Sequence, residues 1–139
     1  SPNVTDIAEM AKAAEAGGTD AISLINTLLG MKIDINTRRP VLNNNMGGMS
    51  GPAVMPVAVR MVYQVRQAVK LPIIGMGGIT TGEDAVEFLL AGADAVSVGT
   101  AGIVDPYAWI KVRNGINDYL DKNGYESVND IVGKLEMNN

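Results

Sequence analysis

The chain has 139 residues, of which 47% are hydrophobic and 19% are charged, and its formal net charge is −4. This acidic balance argues against a nucleic-acid partner, and the uninterrupted apolar runs are too short to cross a membrane. The sequence contains neither Cys nor His, which excludes disulfides, thiolate metal sites and histidine bases or ligands. The lack of Cys also suits a cytoplasmic location.

The first predicted elements are a helix and a buried strand. Thr5 or Asp6 can cap the helix, because either side chain accepts hydrogen bonds from the first free amides. Gly17 and Gly18 then end the helix, and residues 21–25 form a short apolar strand.

The same pattern of a helix stop followed by a buried strand returns 74 residues later. Residues 18–24 align with residues 92–98, which predicts two parallel strands in equivalent settings. The alignment places residues 25–27 where residues 99–101 lie in the second copy. We therefore expect both segments at the same rim of the sheet, unless two common junctions match by coincidence.

Residues 28–51 form a long excursion on that rim. Residues 31–35 alternate in polarity and residues 38–42 can return beside them as a hairpin arm. Residues 43–51 are rich in Asn and Gly, which predicts a flexible loop rather than a strand. Loops of this length in compact domains are usually functional.

The remainder of the chain predicts helices that separate two further strands. In order, these are a helix over 52–69 with Ser50 as candidate cap, a strand at 73–74, a helix from Thr81 to Gly92, a strand over 95–99, a helix from Asp105 to Gly124 and a short helix capped by Ser127. Alternating strands and helices indicate an α/β fold with a parallel sheet. No linker divides it, so we expect residues 1–139 to form a single domain.

Two glycine motifs follow adjacent strands. Gly77 and Gly78 come after one apolar run, and Gly99 and Thr100 come after the next. Bare backbone amides and a Thr hydroxyl at neighbouring strand ends can hold a phosphate, as the last two strands of a (β/α)₈ barrel do. The alternative is a pair of tight turns with no ligand. Neither a dinucleotide-binding fingerprint nor a P-loop is present.

Other polar residues offer binding but no visible catalyst. Asn26 and Thr27 directly follow a buried strand, where an amide and a hydroxyl suit a planar substrate with amide or carboxylate edges; they are equally ordinary as loop starters. Arg38 and Arg39 can clamp an anion or form a solvated turn. The acidic residues show no pairing for acid–base work or metal ligation.

Several strings together resemble dihydroorotate dehydrogenases, most closely the catalytic subunit of the NAD-linked class 1B enzymes. The strings are Ser1-Pro2-Asn3-Val4-Thr5-Asp6, Ile25-Asn26-Thr27-Leu28-Leu29-Gly30-Met31, Gly47-Gly48-Met49-Ser50-Gly51-Pro52, Ile74-Gly75-Met76-Gly77-Gly78-Ile79 and Val98-Gly99-Thr100-Ala101. The resemblance covers nearly all of the chain and implies the C-terminal half of a TIM (β/α)₈ barrel, approximately strands six to eight. A complete barrel needs about 250 residues.

The resemblance also implies a function, the FMN-dependent oxidation of dihydroorotate to orotate in pyrimidine biosynthesis. In that family a base removes a proton from C5 while a hydride passes from C6 to flavin N5. Electrons then pass to a partner subunit that carries FAD and an iron–sulfur cluster, and onward to NAD⁺.

Site residues carry over from the family by position. The residues matched to FMN contacts are Ile25, Gly51, Gly77, Gly78, Gly99 and Thr100, and the phosphate cradle comprises the last four. Asn26 and Thr27 match the pair that hydrogen-bonds the pyrimidine-like substrate.

The sequence departs from the family pattern in three ways. The catalytic Cys of the family lies in the N-terminal half of its barrel, and a flavin-contacting Lys comes just before the position of Ser1; neither falls within these residues. Gly102 and Ile103 stand where the family pattern has Asn-Phe. We therefore expect the chain by itself not to oxidise dihydroorotate.

Two other functions are compatible with the residues. One is a catalytically inert half-barrel that associates with itself through its exposed strand edges, most simply as a homodimer. On this hypothesis the apolar side chains left open face inward, led by Ile22, Leu24, Val96 and Val98. The other is a different phosphate-binding barrel enzyme, which the string that begins at Asn26 argues against.

Overall fold

The structure is a computed structural model that describes residues 1–138. The α-helices are α1 (Ile7–Ala16), α2 (Met55–Ala68), α3 (Gly82–Ala91), α4 (Thr100–Val104) and α5 (Ala108–Asn123). The strands are β1 (Ile22–Leu24), β2 (Leu28–Gly30), β3 (Ile33–Asp34), β4 (Arg39–Pro40), β5 (Gly47–Met49), β6 (Ile73–Met76) and β7 (Ala95–Ser97). Two 3₁₀ turns, Pro52–Val54 and Val128–Asp130, complete the elements of this region.

The central sheet has three parallel strands in the order β1-β6-β7. Ile22 lies opposite Ile73, and Met76 lies opposite Ser97. Parallel neighbours need a crossover to bring the chain back, and α2 and α3 provide the two crossovers. The predicted α/β organisation is confirmed, and so is the placement of the two repeated strands, which flank β6 in the same direction.

One face of this sheet packs against the helices and forms the core. Leu24 and Ile73 are buried on that face, where the cluster includes Val62 and Phe88 from α2 and α3. Val96 is half-buried against the same cluster. Residues of a strand alternate between faces, so the core lies between the sheet and its crossover helices.

The prediction that Ile22, Leu24, Val96 and Val98 face an open side is therefore wrong, because all four pack on the helix side. The open side carries the alternate residues of the three strands. These residues are Ser23, Ile74, Met76, Ala95 and Ser97. The open face of the sheet is thus more polar than the sequence suggested.

The predicted helix caps are largely confirmed. Asp6 accepts hydrogen bonds from the amides of Ala8 and Glu9 at 2.9 and 3.1 Å and begins α1. Thr81 and Asp84 form a reciprocal capping box at the start of α3. Ser127 and Asp130 do the same for the last 3₁₀ turn.

The excursion contains more regular structure than predicted. The β3–β4 hairpin is confirmed, with Ile33 opposite Pro40. However, residues 43–51 do not form only a loop, because β5 pairs antiparallel with β2 and Gly48 lies opposite Leu29. Glycines disfavour a strand in isolation; here the pairing with β2 outweighs that local preference.

Two helix boundaries also differ from prediction. Ser50 does not cap the helix that follows it; the chain enters α2 through the 3₁₀ turn, which Gly51 precedes. The helix expected from Asp105 begins at Ala108. The short helix α4 comes before it and was not predicted, since five residues are too few to show the apolar repeat of a helix.

The end of the sheet opposite the strand carboxyl ends is held by Arg66 of α2. Its Nε donates to the carbonyl of Gly92 at 2.8 Å, and its guanidinium pairs with Asp94. Asp94 in turn accepts from the amide of Ile73 at 2.7 Å. One side chain thus links α2 to the starts of β6 and β7.

Over residues 1–138, no helix combines the length and apolar character that a bilayer crossing requires.

Candidate functional site

An open cleft of about 900 Å³ lies where β1, β6 and β7 end. The carboxyl ends of parallel strands are where α/β folds place their ligands. The structure brings into this cleft the eight residues that the resemblance matches to cofactor and substrate contacts. They are Ile25, Asn26, Thr27, Gly51, Gly77, Gly78, Gly99 and Thr100.

The turn after β6 is shaped by Gly77 and Gly78, whose φ angles are +130° and +88°. Side chains rarely adopt these angles, and the turn is also tightly packed. A Cβ at Gly78 would lie 2.8 Å from the carbonyl oxygen of Gly51 and from the Cβ of Met55. The turn thus presents bare backbone at the cleft, close to the end of the excursion.

Ile25 forms the apolar wall beside this turn. It is 4% exposed, and its amide donates to the carbonyl of Met76 at 2.9 Å. The Leu24–Ile25 peptide bond is cis. A Cβ at Gly77 would lie 3.1 Å from the Ile25 Cγ1 atom, so the strand end of β1 packs directly on the turn after β6.

Gly99 and Thr100 form the second strand end. A Cβ built on Gly99 meets no protein atom within 4 Å, so the space beside this backbone is open. The Thr100 hydroxyl donates to the Ser50 hydroxyl at 2.8 Å. A hydroxyl and open backbone therefore face the cleft together.

Asn26 and Thr27 line the cleft from the segment between β1 and β2. The Asn26 Oδ1 atom accepts from the Thr27 amide at 2.7 Å. The Thr27 side chain packs on Gly48 of β5, where a Cβ would collide with it. Both residues are exposed, so their polar atoms are accessible from the cleft.

The residue that braces this segment was not predicted from the sequence. The Asn3 Nδ2 atom donates to the Thr27 carbonyl at 3.0 Å, and its Oδ1 atom accepts from the Leu29 amide at 2.9 Å. No local pattern connects residues 3 and 27, because their proximity arises only when β1 enters the sheet. A single amide side chain thus holds the backbone on both sides of Leu28.

An ion pair at the cleft rim was also missed. The Lys111 Nζ atom lies 2.6 Å from the Asp105 Oδ2 atom, and both residues line the cleft. The hydrogen bond from Lys111, helped by the amide of Tyr107, lowers the pKa of the Asp105 carboxyl below its ordinary value. Asp105 is therefore held ionised, paired with a lysine that is largely exposed.

Other candidate chemistry lies elsewhere. Arg38 and Arg39 are exposed at the β3–β4 hairpin and do not line the cleft. Over residues 1–138, no group of three or more acidic side chains is placed to hold a metal ion. The cleft therefore combines neutral hydrogen-bonding groups, bare backbone and an apolar wall, with the Asp105–Lys111 ion pair at its rim.

Comparisons with known proteins agree with this geometry. The family model described as dihydroorotate dehydrogenase matches residues 1–120. A dihydroorotate dehydrogenase B (NAD(+)) catalytic subunit from Lachnoclostridium phytofermentans is 65% identical over 133 residues, which are 96% of this chain and 44% of that protein. The catalytic subunit of the same name from Phocaeicola vulgatus is 61% identical over 137 residues, which are 99% of this chain and 45% of that protein.

A solved structure is also similar. The crystal structure of DHODH from Eimeria tenella in complex with ferulenol matches with a TM-score of 0.80 and 28% sequence identity. The match covers 96% of this chain and 36% of that one. That enzyme is a TIM barrel, which confirms the predicted fold class: part of a (β/α)₈ barrel with parallel strands.

The family assignment thus rests on matches that cover most of this sequence. The chain spans less than half the length of these relatives, 44% for the first. Within that span, the strings that carry the resemblance are the segments that meet at the cleft. The chain belongs to the dihydroorotate dehydrogenase family.

Proposed function

We propose that this chain forms the part of an FMN-dependent dihydroorotate dehydrogenase that holds the flavin phosphate and the pyrimidine ring of the substrate. One observation carries the proposal: the eight residues matched to these roles, from four separate segments, line a single cleft. Family membership supplies the reaction class.

The strand ends after β6 and β7 fit the phosphate of FMN. Gly77 and Gly78 have positive φ angles, and Gly99 has open space where a side chain would stand. Backbone amides can therefore approach phosphate oxygens closely, and Thr100 adds a hydroxyl. Among residues 1–138, Lys111 is the cation at the rim of the cleft, although it pairs with Asp105.

The segment between β1 and β2 fits a planar, polar ring. Asn26 offers an amide and Thr27 a hydroxyl, so the pair can both donate to and accept from the edge of a pyrimidine. Ile25 precedes Asn26 and packs on Gly77, and the Gly51 carbonyl packs on Gly78, so we place the flavin ring beside Ile25 and Gly51.

In the proposed reaction dihydroorotate is oxidised to orotate, and the bound flavin supplies the hydride acceptor. Asn26 and Thr27 bind the substrate and orient its reacting carbons, while the glycine turns fix the cofactor from its phosphate end. The 139 residues contain no Cys or His. We assign proton removal to the Cys that the family places in the N-terminal half of its barrel.

We also propose a partner subunit. The relatives from Lachnoclostridium and Phocaeicola are named as catalytic subunits of NAD(+)-linked enzymes, which implies a second subunit that accepts the electrons. An FAD and iron–sulfur protein would suit that role, because the cluster would carry single electrons between the two flavins and FAD would supply the hydride that NAD⁺ accepts.

Binding measurements on the purified protein test this proposal. We expect FMN to bind with a change in flavin fluorescence, and orotate to bind with an affinity that falls in Asn26→Ala and Thr27→Val. Asn44→Ala, in the exposed turn of the excursion, is the matched control and should leave orotate affinity unchanged. Equal orotate affinity in all three variants would overturn the assignment of the substrate end.

A further inference from the structure

The hydroxyls of Ser50 and Thr100 form a direct contact between two segments that are 50 residues apart in the chain. Their oxygens are 2.8 Å apart, and both residues line the cleft. Thr100 begins α4 after β7, while Ser50 follows β5 at the end of the excursion. The contact therefore joins the two sides of the phosphate end of the cleft.

Ser50 is held in this place by its neighbours rather than by a helix. The carbonyl oxygen of Gly51 accepts from the Val54 amide at 3.1 Å. The same oxygen packs so closely against Gly78 that a Cβ there would lie 2.8 Å from it. On the other side, β5 is paired with β2 as far as Met49. The position of the Ser50 hydroxyl is thus fixed by the residues before and after it.

Two hydroxyls in contact carry two protons, and one of these is used in the bond between them. The second proton is left to point outward. In the structure the bond runs from Thr100 to Ser50, and rotation of the two hydroxyl protons reverses it. When Ser50 donates to Thr100, the Thr100 hydroxyl is free to donate to an acceptor in the cleft. This free donor favours an anionic oxygen as its acceptor, because a hydrogen bond to a charged acceptor is about twice as strong as a neutral one.

We propose that Ser50 is a positioning residue for the Thr100 hydroxyl and a determinant of the preference for phosphorylated flavin over riboflavin. The inference rests on the proposed function, since it needs a phosphate at the glycine turns. When the phosphate is bound, Ser50 donates to Thr100 and Thr100 donates to a phosphate oxygen. Riboflavin has no phosphate, so its affinity does not depend on this pair.

Titration with FMN and with riboflavin, followed by flavin fluorescence, separates this role from a general effect on folding. Ser50→Ala should weaken FMN binding about ten-fold and leave riboflavin binding unchanged. Ser50→Thr retains the hydroxyl and should retain the preference for FMN. Ser127→Ala removes a hydroxyl of equal size at the last 3₁₀ turn, which does not line the cleft, and is the matched control.

A double-mutant cycle with Thr100→Val distinguishes positioning from direct binding. If Ser50 acts through Thr100, the double variant should bind FMN no more weakly than Thr100→Val alone. Additive losses would overturn the positioning role, and an unchanged FMN preference in Ser50→Ala would overturn the whole inference. A parent protein that binds FMN no better than riboflavin would instead overturn the proposed phosphate site, and the inference with it.

Discussion

The side-chain amide of Asn3 bridges the backbone around Thr27. It donates to the Thr27 carbonyl at 3.0 Å and accepts from the Leu29 amide at 2.9 Å. The Asn3 side chain thus makes the two hydrogen bonds that a neighbouring strand would otherwise make to this segment. It fixes the segment that presents Asn26 and Thr27 to the cleft.

We therefore predict that Asn3→Ala weakens orotate binding about five-fold or more, because Thr27 loses its backbone brace. Asn123 is the control, since its side chain bonds the Tyr119 carbonyl at 2.7 Å at the far end of α5. Isothermal titration with orotate measures both variants. If Asn123→Ala and Asn3→Ala lose equal affinity, the brace has no specific effect on the site.

The glycines of the two strand ends should respond differently to a side chain. Gly99→Val should fold normally, because a Cβ there meets nothing within 4 Å, yet it should abolish FMN binding by filling the space beside the backbone. Gly78→Val should instead lose stability by about 1–3 kcal/mol, because its φ is +88° and the Cβ would lie 2.8 Å from the Gly51 oxygen. Thermal unfolding and FMN titration separate the effects. FMN binding by Gly99→Val at parental affinity would refute the cradle.

Arg66 should contribute to stability far more than its neighbour on the same helix. Arg66→Ala should lower the free energy of unfolding by about 1–3 kcal/mol, since it leaves the Gly92 carbonyl and Asp94 without their partner. Arg60→Ala breaks only an exposed contact with Gln64 and should cost about 0.5 kcal/mol or less. Urea unfolding compares them, and equal losses would contradict the linking role of Arg66.

Asp84 should make the free energy of unfolding depend on pH in the acid range. Burial by itself raises its pKa, but hydrogen bonds from Thr80 and Thr81 outweigh burial and hold the pKa below its ordinary value. A carboxyl with a lowered folded pKa stabilises the fold above its unfolded pKa, and this contribution is lost as the pH falls through the folded pKa. The stability difference between the parent and Asp84→Asn should therefore shrink as urea unfolding is repeated at increasingly acid pH.

Glu83→Gln removes the neighbouring carboxylate and provides the control for that experiment. Its stability difference from the parent should vary less with pH than that of Asp84→Asn. The stability difference between the parent and Asp84→Asn could instead stay constant from neutral to acid pH. That result would show that the capping hydrogen bonds do not depend on ionisation of Asp84.

The 139-residue chain should associate with itself in solution. In residues 1–138, β1 and β7 are the edges of the parallel sheet, and the face that carries Ile74 is open. Exposed edges and apolar surface favour pairing with another copy. Sedimentation at tens of micromolar should show a dimer that Ile74→Lys weakens and Ile35→Lys, at the excursion tip, does not. A monomer at that concentration would contradict the prediction.

Local signals account for the parts of the fold that were predicted correctly. Asp6, Thr81 and Ser127 each cap the element that follows them, and a cap depends on residues only a few positions away. Six candidate site residues were found because they directly follow a strand, whereas Ile25 and Gly51 were assigned only through the resemblance to the family. The position of a residue at a strand end can be predicted from the local sequence, without knowledge of distant contacts.

The parts that were missed depend on distant partners or on weak patterns. The pairing of β5 with β2, and the contacts of Asn3 with Thr27 and of Ser50 with Thr100, join residues far apart in the chain. The open face was assigned to the wrong residues, because alternation in β1 and β7 shows which side chains share a face but not which face the helices cover.

The β2–β5 pair also separates the excursion into two parts that can vary independently. Its ladder runs from Leu28 opposite Met49 to Gly30 opposite Gly47, so Thr27 and Ser50 are the next residues on the two strands. The base of the excursion is thereby closed beside the cleft, while the β3–β4 hairpin extends beyond it. Insertions or deletions at the hairpin tip can change its length without moving either end of the cleft, which makes the tip a natural place for sequence diversity and for grafted segments.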